Sequence, residues 1–294
     1  MNRLRSLAIG LPIPVILLGL WWVLSSNSSS PYWPPLSVIA QTFGETWFSE
    51  RFETDLLPSL GRFAAGFAIA VLAGVGMGLA CGLMPTVRRT VDPFIDFMRS
   101  LPQPALIPIL IILLGIDTTM KIFIIALSSL WPILLNTIDG IRAVEPEKAA
   151  FAKIYGLSSG QWLTKVVLPA ASPQIFVGAR LALAIALIMM VVSEMVASSD
   201  GLGYFILISQ QTFAIPEMWS GIAMLGIIGY LVNVLFVAME NRFLAWHRGW
   251  RAASLGAPAP MPAPRRRVAI PVRRRTSTEP PSFVQPSTPT NGAN

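Results

Sequence analysis

The sequence predicts an all-α membrane protein with about six transmembrane helices, and three observations carry that reading. Of 294 residues, 53% are hydrophobic and 13% charged, about half the charged share of a soluble domain. Six stretches approach the roughly 20 apolar residues needed to cross the hydrocarbon of a bilayer. Between the fourth and fifth stands Ala150 to Pro169, AFAKIYGLSSGQWLTKVVLP, whose Lys153, Gly156, Ser158, Ser159, Gln161 and Lys165 call for water or a partner.

The first span, about 7–24, follows Arg3 and Arg5 and closes on Trp21 and Trp22. No clean small-x-small cleavage site follows it, so it is read as a retained helix rather than a signal peptide. Residues 36–55 place Leu36, Ile39, Phe43 and Trp47 on one face among polar residues. That pattern fits an amphipathic helix on the outer interface or one packed on the bundle. The second span, 62–83, carries Gly66, Ala70, Gly74, Gly78 and Gly82 at four-residue spacing. Such a stripe lets another helix approach to backbone contact, so this helix belongs at the centre. Met84 to Asp92 reads as a short inner turn.

The third span, 97–115, is interrupted by Pro102, Pro104 and Pro108. Prolines leave carbonyls without intrahelical partners, which suits either a kinked packing helix or one bordering a transport path. The fourth span, 121–138, contains Pro132 and Asn136. A polar loop at 139–173 follows, with Glu145-Pro146-Glu147 opening one helix, Gly156 closing it, and a second short helix at 157–162. This hairpin cannot cross the bilayer and must protrude. The fifth span, 176–197, holds Glu194; Asp200 to Tyr204 turns on glycines, and 205–213 is short enough to re-enter the outer leaflet. The sixth span, 219–239, completes a permease domain over 1–250. Beyond it, 251–294 is a Pro- and Arg-rich tail that cannot bury enough apolar surface to order itself.

Short cytoplasmic loops are enriched in Lys and Arg. An inside N-terminus puts Arg3, Arg5, Arg88, Arg89, Arg142, Lys148, Lys153, Lys165 and the tail on the cytoplasmic face; outside remain Arg51 and the span-boundary residues Arg62 and Lys121, set against Glu45, Glu50, Glu53, Asp55, Asp117, Asp200 and Glu217. Both termini and loop 139–173 are therefore expected inside. The net charge of +7 is no nucleic-acid signal, since nine of the 22 basic residues lie beyond Glu240 and the others belong mainly to these loops.

Catalytic chemistry finds few groups to work with. No G-x-x-x-x-G-K-[ST] occurs. His247 is the single histidine and Cys81 the single cysteine, too few for a His-pair or cysteine-built metal site. Glu194 is the acid deepest within a span, and a charge there must face protein, water or a cation. It is therefore a pathway or gate candidate, with Ser193 and Asn136 as possible partners, or else an acid placed high enough to reach the outer headgroups or to pair within the bundle. Arg180 is placed to snorkel, and Asn233 to make an interhelical hydrogen bond.

The segment from Gly156 to Pro169 resembles the EAA loop of bacterial ABC-importer permeases: a glycine, nine residues, then an apolar residue two before Leu168-Pro169. Ala150, Phe151 and Ala152 stand where that motif has Glu-Ala-Ala, and Glu147 comes three residues early. PSLGRFAAGF, RSLPQPALIPILIILLGI, VVLPAASPQIFVGARLALA and SEMVASSDGLGYFI, in that order between residues 58 and 240, are similar to permeases of the nitrate, sulfonate and taurine branch. The resemblance implies a type I importer (MetI-like) bundle in the bacterial inner membrane. It also implies a second permease copy, two separate ATPase subunits that bind ATP and Mg, and a soluble substrate-binding protein outside. It assigns ATPase coupling to the loop holding Ala150, Ala152, Gly156, Leu157, Ser158, Ser159, Leu168 and Pro169. The competing reading, a secondary transporter or channel without an ATPase, expects paired inverted repeats and several intramembrane ions. An integral membrane enzyme would need a cluster of His, Asp or Cys.

Overall fold

The computed structural model describes residues 12–26, 28 and 30–244. The beginning of the first span, His247 and the tail at 251–294 lie outside the described residues. Contacts divide the chain into two units, Met1–Arg248 and Gly249–Asn294, and only the first contains described residues.

Helix α1 (Pro12–Ser25) is followed by α2 (Leu36–Trp47), where Leu36 N–H donates to Ser25 Oγ at 3.2 Å. Of the two readings open for 36–55, packing on the bundle is the one observed. Ile39 and Trp47 are buried, and Trp47 Nε1 donates to Ser220 Oγ at 2.9 Å. The helix stops at Trp47, and a π-turn at Phe52–Leu56 leads into α3 (Leu57–Leu83).

Each glycine of the α3 stripe faces a particular side chain of α6 (Thr118–Arg142), once α4 (Pro85–Ser100) and α5 (Ile107–Leu114) have intervened. A Cβ on Gly66 would lie 2.6 Å from Ile125 Cγ2, one on Gly74 2.9 Å from Ile133 Cβ, one on Gly78 2.5 Å from Thr137 Cβ, and one on Gly82 2.7 Å from Ile141 Cδ1. None of these fits without displacement. Helix α6 is held equally closely on its other side, where a Cβ on Gly178 would meet Asn136 Cβ at 2.7 Å. It therefore forms the centre of the bundle, with 56% of its apolar window buried against 11% for the last helix.

Among the described residues, four helices are long and apolar enough to cross a membrane, and the bent pair formed by α4 with residues 103–114 would make a fifth. They correspond to spans two to six; the first span survives in part as α1. The third span differs from expectation. Met84 to Asp92 is not a turn but the first half of α4, because Pro85 starts a helix directly after the extended Met84. Val87, Val91, Ile95 and Met98 form a stripe that packs on Cys81, Trp131, Leu134 and Ile138. The expected break falls after Ser100, at Pro102, and bends the chain by 92°.

The polar loop is shorter than 139–173. Helix α6 runs on to Arg142, and the returning helix starts at Ser159 as α8 (Ser159–Trp162), continuing unbroken into α9 (Leu168–Val196) after α7 (Pro146–Ile154) has closed the hairpin. Two π-turns, Phe52–Leu56 and Leu163–Val167, each stand directly before a Leu-Pro pair, with Leu57 N–H bonded to Phe52 O and Leu168 N–H to Leu163 O. A proline ring collides with the carbonyl four residues back, and widening that turn relieves the clash without ending the helix. Residues 205–211 of the short segment expected at 205–213 are helical. They belong to α10 (Leu202–Gln211), whose Leu202, Phe205 and Ile206 are buried before α11 (Ile215–Phe243) begins.

Candidate functional site

Loop 143–158 builds its shape from local rules. Helix α7 opens on Pro146 with Glu147 in its first turn, where an acid suits the helix dipole. It closes on Gly156, whose φ of +65° favours glycine and whose added Cβ would meet nothing within 4 Å, so conformation rather than space demands glycine there. Leu157 N–H donates to Ala152 O at 3.0 Å, the long bond of a Schellman closure, and Ala152 and Leu157 line the same groove. The next helix is started by a capping box: Ser158 Oγ accepts from Gln161 N–H at 3.3 Å, and Gln161 Oε1 accepts from Ser158 N–H at 3.1 Å. This box was missed in reading the sequence, although Ser158 and Gln161 have the S-x-x-Q spacing.

The tip of the hairpin is apolar on the outside. Phe151, Ile154 and Tyr155 are 59, 77 and 80% exposed, beside a groove of about 460 Å³ that also includes Lys148 and Val166. Ala150, Ser158 and Ser159 are exposed, Ala152 is buried, and Leu168 and Pro169 are half-buried at the base. There Ile141, Val167 and Ala171 form a small buried cluster with Leu79, Trp162, Leu163 and Ile175 packed on it. The helix ends on either side of the hairpin are thus packed together with α3.

Glu194 belongs to a different site, at the opposite ends of these helices, and it does not meet the partners expected for it. It is fully buried. Ser59 Oγ lies 2.8 Å from both of its oxygens, Arg62 Nη1 donates to Oε1 at 2.9 Å, and Gly203 N–H donates to Oε2 at 3.0 Å. Arg62 Nη2 reaches Asp200 at 2.7 Å, while Asp55 Oδ1 accepts from Gly201 N–H at 2.9 Å. The loop can wrap the carboxylate because it has two glycines: Gly201 has φ +108°, and a Cβ there would lie 2.6 Å from Glu194 Cδ. Arg62 and Lys121, expected at span boundaries, and Asp55, expected outside, are therefore buried with Glu194.

A carboxylate enclosed in this way offers no face to a passing solute in the observed conformation. Its surroundings act as a staple joining α3, α9 and the 198–203 loop. Ser193 is also fully buried and donates to Met190 O, whereas Asn136 lies far along α6 and accepts from Gln174 Nε2 of α9 at 3.0 Å. Arg180 pairs with Glu240 of α11, and Asn233 is exposed with no interhelical bond among the described residues. No group of three His, Cys, Asp or Glu side chains among the described residues is placed to hold a metal.

Residues 70–245 match the family described as the binding-protein-dependent transport system inner membrane component. The chain is 31% identical over 243 residues to the putative aliphatic sulfonates transport permease protein SsuC of Bacillus subtilis, covering 82% of this chain and 88% of that one. It is 31% identical over 250 residues to the taurine transport system permease protein TauC of Escherichia coli, covering 83% and 91%. An inward-facing structure of the MetNI methionine ABC transporter shares the fold, with a TM-score of 0.57 at 17% identity over 64% of this chain and 94% of that one. With its all-α bundle and small-residue helix contacts, the chain therefore belongs to the inner membrane components of binding-protein-dependent ABC importers, as a non-catalytic permease subunit of the sulfonate and taurine branch.

Proposed function

We propose that the hairpin at 143–158 seats in a groove of a separate cytoplasmic ATPase and that its displacement switches the permease between outward and inward access. The observation that carries this reading is the exposed apolar tip. Phe151, Ile154 and Tyr155 fall within five residues on a hairpin outside the apolar spans, and contiguous exposed apolar surface of this kind marks a protein contact. Transmission follows from packing. The hairpin is continuous with α6 on one side and with α8 and the π-turn into α9 on the other, and the Ile141–Val167–Ala171 cluster packs those helix ends with α3, so a push on the tip is passed to all three. The far ends are stapled through Arg62 and Glu194, and a bundle fixed there rocks rather than shears, a two-state motion biased by nucleotide.

In this reading ATP and Mg bind the two ATPase subunits, and the sequence has no P-loop of its own. A second copy of the permease completes the pathway, a soluble binding protein delivers substrate from outside, and both termini lie in the cytoplasm of a bacterial cell. The substrate class we propose is a small sulfonate, an alkanesulfonate or taurine, in keeping with the printed names of the two relatives. Uptake of labelled taurine and of an alkanesulfonate, set against nitrate and bicarbonate, tests that part.

The coupling part is tested by Gly156→Asp, which places a side chain at positive φ without meeting a neighbour. The variant inserts in the membrane normally, but its partner ATPase is no longer stimulated by loaded binding protein. Near-normal transport together with normal co-purification of the ATPase contradicts the proposal.

A further inference from the structure

Where α3 ends, α4 begins and α6 ends, the structure has a cavity of about 290 Å³ lined by Cys81, Pro85, Arg88, Arg89, Asp92 and Arg142, among others. Three arginines face one aspartate. Arg88 Nε donates to Asp92 Oδ2 at 3.1 Å, while its Nη1 is buried with no hydrogen-bond partner. Neither Arg89 nor Arg142 forms an ion pair with an acid among the described residues. The 16-residue α4 also starts here, with no side-chain cap and no acid in its first turn.

The bias of basic residues toward the cytoplasmic loops accounts for arginines near a helix end. It does not account for their convergence on one cavity, nor for a nitrogen of the partly exposed Arg88 guanidinium that no protein group bonds. Both features suit an anionic ligand. Guanidinium groups present paired donors that match the oxygens of a phosphate, and the free N–H groups at the start of α4 add positive potential on the same side.

We propose that this cavity is a phosphate-binding site, taking either the phosphodiester of an anionic lipid headgroup or free inorganic phosphate. The lipid source rests on the reading that places Arg142 at the inner membrane face; the site itself does not. The full-length chain is purified in detergent, and two probes are applied. Native mass spectrometry follows retention of phosphatidylglycerol against phosphatidylcholine, and thermal unfolding is followed with and without millimolar inorganic phosphate. The variants are Arg88→Gln and Arg142→Gln, the latter altering only an exposed side chain, with Arg242→Gln as an equal loss of charge away from the cavity.

If the ligand is a lipid headgroup, one phosphatidylglycerol is retained in preference to phosphatidylcholine, its retention falls about tenfold in either cavity variant, and Arg242→Gln leaves it unchanged. If the ligand is free phosphate, added phosphate raises the unfolding temperature of the native chain and of Arg242→Gln but not of the cavity variants. The proposal is overturned if neither probe binds, or if the cavity variants bind both as the native chain or the Arg242 control does. The readout requires no ATPase, so failure of the coupling mechanism leaves it interpretable.

Discussion

At the Arg62 end of the bundle every acid of the buried cluster is bonded to another part of the chain, whereas at the Gly156 end large apolar side chains stand in the open. Glu194 is fully buried with three donors around it, and Tyr155 is 80% exposed beside an apolar groove. One end is complete within a single chain. The other has its shape fixed by caps and turns but its contact surface uncovered. In the proposed function, the tied end is the fixed point of the bundle and the exposed hairpin is where a partner pushes.

The comparison breaks most visibly if the staple is removed. Arg62→Ala leaves Glu194 as an uncompensated buried charge and destabilises the chain by about 3–5 kcal/mol, read as loss of folded yield and a lower unfolding temperature. Arg62→Ala combined with Glu194→Gln recovers part of that loss. Equal stability of Arg62→Ala and the native chain means that the cluster joins nothing. Between the two ends, Gly78→Leu forces α3 away from Thr137 and costs about 1–3 kcal/mol. Gly76→Leu, whose Cβ meets nothing within 4 Å, leaves stability nearly unchanged in the same assay. The smallest effect belongs to the hairpin: Ser158→Ala removes half of the capping box and costs about 1 kcal/mol. It appears as faster amide exchange at 159–163 with an unaltered global unfolding temperature. A global shift there places the hairpin within the folding core and erases the contrast between the ends.

How much of this was legible in the sequence follows the same division. The glycine stripe of α3, the closure at Gly156 and the helix start at Pro146 obey rules that act within a few residues, and each is where the pattern puts it. The Ser158–Gln161 box obeys such a rule too, and attention to the S-x-x-Q spacing finds it. The partnership of Arg62 with Glu194 spans 132 positions, and no periodicity links them; only the tertiary fold brings the start of α3 to the end of α9. The start of α4 was hidden for another reason. Pro85, Arg88 and Arg89 have the composition of a turn, and the apolar stripe beneath them becomes visible only once Cys81 and Ile138 provide something to pack against. The two π-turns ahead of Leu57-Pro58 and Leu168-Pro169 reconcile helix continuity with proline, where the sequence alone suggests a break.

The central claim is that the hairpin tip is the ATPase contact. Cys81 is buried, so a cysteine placed by Tyr155→Cys is the accessible thiol of the described chain. The direct measurement is its crosslinking in inside-out vesicles containing the partner ATPase, with and without nucleotide. The account predicts an adduct with the ATPase whose yield changes on ATP binding, and labelling of the free thiol from the cytoplasmic face only. Labelling from the external medium, or an ATPase that assembles with the permease yet never crosslinks at this position, contradicts it.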